Sequence, residues 1–471
     1  MICIRTIRLR ELKDYDKLLD CIKNTHINEE TIAELKNYVG LKCDKIIVEN
    51  PYADKDYLST YYIHYAKKYK EYHKKSYRLH LFKDDFYHGF VTLRPTCCKK
   101  IGRSYLNPEI LLDSNAYLMV GTYKVNVIGM PSEIDCFPWM HQDPDISTCA
   151  HVSLWSILRY FNNAHSNYAD MTMGEIVEKV EMNYDRKIPS KGLRMEQISN
   201  LLTQYNFSTL IRENNSDTHY LDELFAYIES GLPLVGILKE YEHAVSIIGH
   251  GEIDNIPDGE FRFEKIENNG KTETTDIILS TNYIDSIIVN DDNFFPYRKV
   301  YRKACNINTE SKYEPKYMID NIKLFIIPLY EKMQITYNEV YNRVLSLLHT
   351  NNLNNLPSPK VLRFFITSSN SYKKKALTNI NEKELRQIVT KLNMPKFIWC
   401  VEISSVENYK KHLVDGVIII DATSSSRDDY PWIFWHDKKT AKYYNGQRYI
   451  KADINSSPYT QYCNNLEEFL I

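Results

Sequence analysis

One stretch of the chain, QDPDISTCAHVSLWSILRYF at residues 142–161, places a cysteine at the start of an apolar helix. Ser147 and Thr148 are residue types that cap helices, so Cys149 is predicted at or next to the first helical turn. There the positive end of the helix dipole and the backbone N–H groups favour the thiolate, which is the nucleophilic form of cysteine. Among the ten cysteines of the chain, Cys149 is therefore the one predicted to be reactive.

Two later segments could supply the other groups that a cysteine nucleophile needs. His243 opens the apolar strand HAVSIIG, and the strand SIIVN ends in Asn290, Asp291 and Asp292. Neighbouring residues on a strand point to opposite faces, so we expect only one of Asn290 and Asp291 to reach His243. Taken alone, such a histidine is more often a core or surface residue than a catalytic base, and the sequence Asn290-Asp291-Asp292 is more often a turn than part of a site. A cysteine, a histidine and an aspartate in this order, each at the end of an element, form a more specific signal for nucleophilic catalysis.

These segments resemble the papain-like cysteine peptidases, and most closely the bacteriocin-processing (double-glycine leader) peptidases and their cytoplasmic relatives. The resemblance rests on Cys149 opening its helix, on GLPLVGIL followed by HAVSIIG, and on IIVNDD, and it covers residues 142–297. It implies that Cys149 attacks a carbonyl, that His243 moves the proton, and that Asp291 orients His243, with Asn290 as the alternative orienter. It also implies that Gln142 and the Cys149 backbone N–H form the oxyanion hole.

Other residues near the cysteine have simpler expected roles. His151 lies on another face of the same helix, so we expect it to pack or bind a neighbour rather than to act as the base. His141 is a candidate for lining the cleft, and Trp155 is most simply a core residue. The chain has no phosphate-binding GxxxxGK[ST], no GxGxxG after a strand, no HExxH and no EF-hand loop, and Cys97 and Cys98 have no second pair nearby. We expect no cofactor and no metal.

The surrounding pattern predicts an α+β protein with a central domain between two α/β regions, because the central helices come first and the strands later. The resemblance implies that the central domain is papain-like. The predicted regions are 1–130, 131–332 and 333–471, with the linker NNLNNLPSP at residues 351–359. The central elements are predicted as helices from Cys149, from the capping box Thr172…Glu175, at Arg194–Gln204 and at Leu221–Ser230, and as strands at Leu234–Leu238, His243–Gly249, Ile284–Asn290 and Leu324–Leu329.

A tyrosine stripe with interleaved lysines predicts a helix over Asp56–Ser76. Lysine and tyrosine together could follow a nucleic-acid strand by charge and stacking. A stripe on one face and charge on the others is also what a helix packed on its own core shows, and we favour that interpretation.

Composition limits the class of protein. The 471 residues hold 59 Lys plus Arg and 61 Asp plus Glu, a formal net charge of −2, which argues against binding of polyanions by bulk charge. The charged first twenty residues do not resemble a signal peptide, no apolar run is long enough to cross a bilayer, and the scattered cysteines contain no CxxC pair. We therefore expect a cytoplasmic protein with no membrane partner.

These observations lead us to expect a thiol hydrolase that cleaves a peptide or isopeptide bond through a Cys-His-Asp triad and an acyl-enzyme. The same triad would support acyl transfer to an amine or thiol, as in transglutaminase-like enzymes, or hydrolysis of a non-peptide amide. A non-enzymatic binding or signalling module on a decayed peptidase fold is a further alternative, and nucleic-acid binding ranks last. The expected partners are a peptide or protein substrate and a regulatory protein that restrains activity, a role the flanking regions could also fill.

Overall fold

The computed structural model describes residues 3–22, 29–96, 100–180, 186–215, 219–239, 242–252, 265–268, 271–274, 277–302, 318–350, 353, 355–356, 358–425, 427–428 and 432–471. The vicinal pair Cys97 and Cys98 and four of the nine residues of the predicted linker 351–359 lie outside these residues.

The N-terminal region is an antiparallel meander of five strands covered on one face by short helices. Its strands, in spatial and chain order, are β1 Cys3–Arg8, β2 Lys45–Tyr52, β3 Ser76–Lys83, β4 Phe86–Leu93 and β5 Ile101–Leu106. Its helices are α1 Asp16–Cys21, α2 Glu29–Tyr38 and α3 Lys55–Ile63. Alternate strand residues such as Ile46, Val48, Leu79 and Leu81 point into a common core with α1 and α2, as the period of two in a strand requires, whereas Tyr57 of α3 packs into the central core.

The central region places four helices beside an eight-stranded antiparallel sheet. The helices are α4 Cys149–Ala164, α5 Met173–Lys179, α6 Met195–Gln204 and α7 Tyr220–Glu229. The strands are β6 Ala116–Leu118, β9 Phe207–Glu213, β10 Leu234–Leu238, β11 His243–Gly251, β15 Ser286–Asn290, β16 Arg298–Tyr301, β17 Ile322–Tyr330 and β26 Glu467–Phe469. The main path runs β16-β15-β11-β10-β17-β9, and β6 joins β11 to β26. Two hairpins complete this part: β7 Gly121–Val127 with β8 Met130–Cys136, and β12 Lys265–Asn268 with β13 Lys271–Thr274.

The C-terminal region forms a seven-stranded sheet with helices packed against it. Its strands, in spatial order, are β14 Ile277–Leu279, β18 Lys360–Ser368, β19 Phe397–Ser405, β21 Gly416–Asp421, β22 Trp432–His436, β23 Thr440–Tyr444 and β24 Tyr449–Asp453. The short strands β20 Leu413–Val414 and β25 Tyr459–Thr460 pair with each other. The helices are α8 Tyr337–Thr350, α9 Ser369–Asn379, α10 Lys383–Lys391 and α11 Val406–Lys410.

The architecture is mixed α and β with antiparallel sheets, which is compatible with the predicted α+β class. In the C-terminal region, the predicted alternation of strand and helix does not give a wound parallel sheet, because β18, β19, β21 and β22 pair antiparallel. Two helices, α9 and α10, lie between β18 and β19 in the chain. Because there are two, the chain comes back to the end of the sheet at which β18 finished, and β19 runs antiparallel to β18. The connection from β19 to β21 is too short for a parallel crossover.

The helix predicted over Asp56–Ser76 is wrong beyond Ile63. At His64 the backbone leaves the helical region (φ −134°, ψ −65°), and only a 3-10 turn, Tyr65–Lys67, follows. His64 and Tyr65 instead contact Asp145 and Asp143 of the central region. Tertiary contacts have therefore replaced local periodicity at this point.

Three short strands cross the predicted region boundaries. β6 and β26 belong to the central sheet although they come from the N-terminal and C-terminal regions, and β14 pairs in parallel with β18 of the C-terminal sheet. The division into 1–130, 131–332 and 333–471 stays a prediction, and these pairings show that the regions are joined by more than their linkers.

Among the described residues, no helix is both long and apolar enough to span a bilayer.

Candidate active site

Cys149 is the first residue of α4, as the sequence predicts. Thr148 is its N-cap, and the Thr148 side chain and His151 form a reciprocal capping box, with His151 Nδ1 3.1 Å from Thr148 Oγ1. Most of α4 is buried, whereas Cys149 is partly exposed. The backbone N–H of Ala244 donates to Cys149 Sγ at 3.4 Å. The helix N-terminus and this donor both favour a negative charge on the sulfur.

His243 faces the cysteine from the first position of β11, which packs against α4. Its Nε2 lies 2.9 Å from Asp291 Oδ1, which leaves Nδ1 as the ring nitrogen for the thiol. Burial lowers the pKa of His243, but hydrogen bonds to Asp291 and Cys149 and the charges of Asp291 and Asp292 outweigh it and raise the pKa to about 10. The imidazole is therefore held as an imidazolium at neutral pH, beside the sulfur.

Asp291 is fully buried and fixed from several sides. The backbone N–H of Asn293 donates to Asp291 Oδ1 at 2.9 Å, and the Trp139 indole N–H donates to the Asp291 carbonyl at 2.8 Å. Asp292 adds a second carboxylate, with Oδ1 3.4 Å from His243 Nε2. A buried carboxylate with these donors can hold the ring in one orientation and stabilise its positive charge.

Asn290 is not the orienter of His243. Its Oδ1 accepts a hydrogen bond of 2.9 Å from the backbone N–H of Tyr297, a residue with φ 65°. The amide of Asn290 therefore stabilises a strained turn, while Asp291, one residue later, reaches the imidazole. This agrees with the expectation that only one of the two would do so.

Gln142 belongs to the same hydrogen-bond network. Its Nε2 donates to Asn293 Oδ1 at 2.9 Å, and Asn293 Nδ2 lies 3.4 Å from His243 Nε2. Its contact with an oxyanion stays a prediction. Asn293 was not predicted as a site residue. The sequence does place this amide directly after the two carboxylates, where it could have been considered.

The loop of residues 142–148, here called the approach loop, is positioned by buried side chains that the sequence reasoning did not identify. Arg94 donates to the carbonyls of His141 and Gln142, both at 2.8 Å. Tyr65 Oη donates to Asp143 Oδ2 at 2.7 Å. Both contacts come from the N-terminal region, which therefore helps to place Gln142 and the start of α4.

The two other histidines near the cysteine in the sequence, His151 and His141, have structural roles. Burial lowers the pKa of His151 to about 4, and its ring completes the capping box, so it is not the base. His141 is 1% exposed and lies 3.1 Å from Glu34, with its ring edge-on to Trp139. It is buried against the N-terminal region rather than lining an open cleft. Trp155 is a core residue, as expected.

His243, Asp291 and Asp292 could also hold a metal ion, since their donor atoms all lie within 4.8 Å of one another. The hydrogen bond from His243 Nε2 to Asp291 accounts for the same geometry, and a cation on Nε2 would replace it. The expectation of a metal-free site stays a prediction.

We therefore expect hydrolysis of a peptide substrate to be unchanged after dialysis against EDTA. The measurement is the initial rate before and after dialysis, with Zn²⁺ or Mn²⁺ added back as the control. A rate that EDTA abolishes and a divalent ion restores would contradict a thiol mechanism at this site.

Comparison of the chain with protein-family models, curated proteins and solved structures gives no match.

Proposed function

We propose that the protein is a papain-like thiol hydrolase that cleaves a peptide or isopeptide bond. The observation that carries the proposal is the line of three side chains: Cys149 at a helix N-terminus, His243 facing it, and Asp291 2.9 Å behind the imidazole. A core does not need a partly exposed thiol, a buried imidazolium and a buried carboxylate in contact. Nucleophilic catalysis requires that combination.

In the proposed reaction, the Cys149 thiolate attacks the carbonyl carbon while the oxyanion accepts from the Cys149 backbone N–H and the Gln142 amide. The C–N bond breaks as the imidazolium of His243 gives its proton to the leaving amine, and an acyl-enzyme remains. A water molecule then attacks the acyl carbon, and neutral His243 takes its proton. The C–S bond breaks, the acid is released, and the thiolate–imidazolium pair is restored.

A second candidate, acyl transfer to an amine, uses the same residues and differs only in the acceptor. Product analysis by mass spectrometry with and without an added primary amine separates the two reactions. No contact of the described residues favours transfer, so hydrolysis remains the primary proposal.

The proposal is tested by alkylation of the native chain with iodoacetamide between pH 6 and pH 9. Because the pKa of His243 is raised to about 10, the imidazolium persists over this range, and the proposed mechanism pairs it with a Cys149 thiolate. We expect the rate at Cys149 to be nearly flat with pH. An ordinary thiol gains about tenfold per pH unit below its pKa of about 8.5. Mass spectrometry locates the alkylated residue.

The other cysteines provide the controls. Burial raises the pKa of Cys43 to about 12 and that of Cys136 and Cys400 well above the usual range, while exposed Cys463 is the accessible thiol for comparison. His243→Ala should give Cys149 the profile of Cys463. A wild-type Cys149 that already follows the profile of Cys463 would contradict the proposed ion pair.

A further inference from the structure

The approach loop forms a closed turn close to the nucleophile. Asp143 and Ser147 exchange two backbone hydrogen bonds of 2.8 Å, and Asp145 lies at the tip of the turn between them. Asp145 is four residues before Cys149, so their Cα atoms are within about 15 Å of each other. The surroundings of Asp145 are therefore within reach of a peptide bound at Cys149.

Two basic segments meet at Asp145. His64 Nε2 and Lys68 Nζ lie 3.2 Å and 2.5 Å from Asp145 Oδ2, and they belong to segment 64–75, which contains five lysines and one glutamate. From the other side, the Ser190 backbone N–H donates to the Asp145 carbonyl at 3.1 Å. Ser190 belongs to segment 186–194, which contains two arginines, two lysines and no acidic residue.

These charges are at the surface. The exposed basic residues of the two segments are Lys67, Lys70, Lys74, Lys75, Arg186, Lys187, Lys191 and Arg194. In a chain with a net charge of −2, this is a local concentration of positive charge next to the catalytic loop. Such a field raises the local concentration of anionic ligands and speeds their association.

The chemistry beside this surface favours a peptide over a nucleic acid. A thiolate and an imidazolium act on carbonyl groups, and the tyrosine rings of segment 64–75 do not form a stacking platform for bases. Tyr65 is buried, the ammonium of Lys68 lies over the rings of Tyr65 and Tyr72, and Tyr69 is the exposed ring of the stripe. Proteins that track single strands present successive aromatic rings to successive bases.

We infer that the substrate carries an acidic segment next to the bond to be cleaved, and that this segment binds the surface formed by residues 64–75 and 186–194. The inference rests on the proposed function, in that the ligand is taken to be a peptide. It adds a charge preference that the catalytic residues themselves would not impose.

The test measures binding separately from turnover. The full-length Cys149→Ala variant is titrated, by fluorescence anisotropy, into labelled decapeptides that carry four Glu or four Gln at the same positions. We expect the acidic peptide to bind about tenfold more tightly at low salt, with most of that advantage lost at 0.3 M salt. The Arg186→Glu/Lys191→Glu and Lys67→Glu/Lys70→Glu variants, made on the same background, should remove the preference.

A matched control replaces exposed lysines of the C-terminal region, Lys374→Glu/Lys383→Glu, and should keep the preference. Equal binding of the two peptides, or tighter binding of a uridine decanucleotide than of the acidic peptide, would overturn the inference. Salt-dependent binding of the acidic peptide without cleavage by the wild type would leave the inference standing and defeat the proposed hydrolysis. Cleavage of both peptides with equal kcat/KM would do the reverse.

Discussion

Cys149→Ala is expected to lower kcat/KM for peptide hydrolysis by about 10⁴-fold or more while leaving the fold nearly intact. The substitution removes the atom that forms the acyl-enzyme in the proposed reaction, and no other described thiol lies beside His243. Cys149 is the first helical residue and is partly exposed, so its loss creates no large cavity. The measurements are initial rates on a peptide substrate and the thermal midpoint of the full chain, which should shift by less than about 2 °C.

Two further variants make this expectation specific. Cys463→Ala, an exposed cysteine in the C-terminal region, should keep full activity. The double variant Cys149→Ala/His243→Ala should be no less active than Cys149→Ala alone, because groups that act as one unit have non-additive effects. Turnover retained by Cys149→Ala, at a rate near that of the wild type, would rule out Cys149 as the nucleophile.

The local parts of the site could be predicted from the sequence because they depend on helix and strand ends. Ser147 and Thr148 mark the start of α4, and the apolar run after His243 marks β11, so the positions of Cys149 and His243 follow from capping and periodicity. The choice between Asn290 and Asp291 could not be made in advance. It depends on which side chain accepts the hydrogen bond from the backbone N–H of Tyr297, and this contact is set by the tertiary structure.

The supporting contacts are remote in the chain, and no local pattern could reveal them. Arg94 donates a hydrogen bond to Gln142, 48 residues later in the chain, and Tyr65 donates one to Asp143, 78 residues later. The pairing of β6 with both β11 and the C-terminal strand β26 is likewise long-range. Sequence periodicity indicates which face of an element is apolar but not which partner covers it.

These contacts also bear on the role of the N-terminal region. Its described contacts include those of Tyr65 and Arg94 with the approach loop and its start, and that of Asp56 with the buried side of α4. Such contacts favour a role for the N-terminal region in positioning the proposed catalytic residues. The conjecture that the flanking regions or a regulatory partner restrain activity stays a prediction, which a comparison of residues 131–332 with the full chain would test only if that piece folds.

The largest effect on stability is expected from Asp56, the buried carboxylate that anchors α4. Asp56 is 2% exposed and accepts hydrogen bonds from the Trp155 indole at 2.9 Å and from two Arg159 nitrogens at 3.1 and 3.2 Å. Arg159 is 3% exposed. Asp56→Ala leaves this guanidinium buried without its main counter-charge, which costs about 3–5 kcal/mol of the free energy of unfolding.

The double variant Asp56→Ala/Arg159→Met distinguishes a lost charge partner from a simple cavity. Replacing both members of a buried ion pair by apolar groups costs less than removing one member, so we expect the double variant to be more stable than Asp56→Ala. Urea unfolding gives the free energies, and hydrogen exchange of the α4 peptides shows whether the loss falls on the helix that carries Cys149. A double variant as unstable as the single one would show that the loss comes from the cavity rather than from the unpaired charge. A cost of under about 0.5 kcal/mol for Asp56→Ala would show that α4 is held by its apolar face alone. If the expected order is found, Cys149 alkylation should slow in Asp56→Ala and recover in part in the double variant, since the position of the nucleophile depends on this helix.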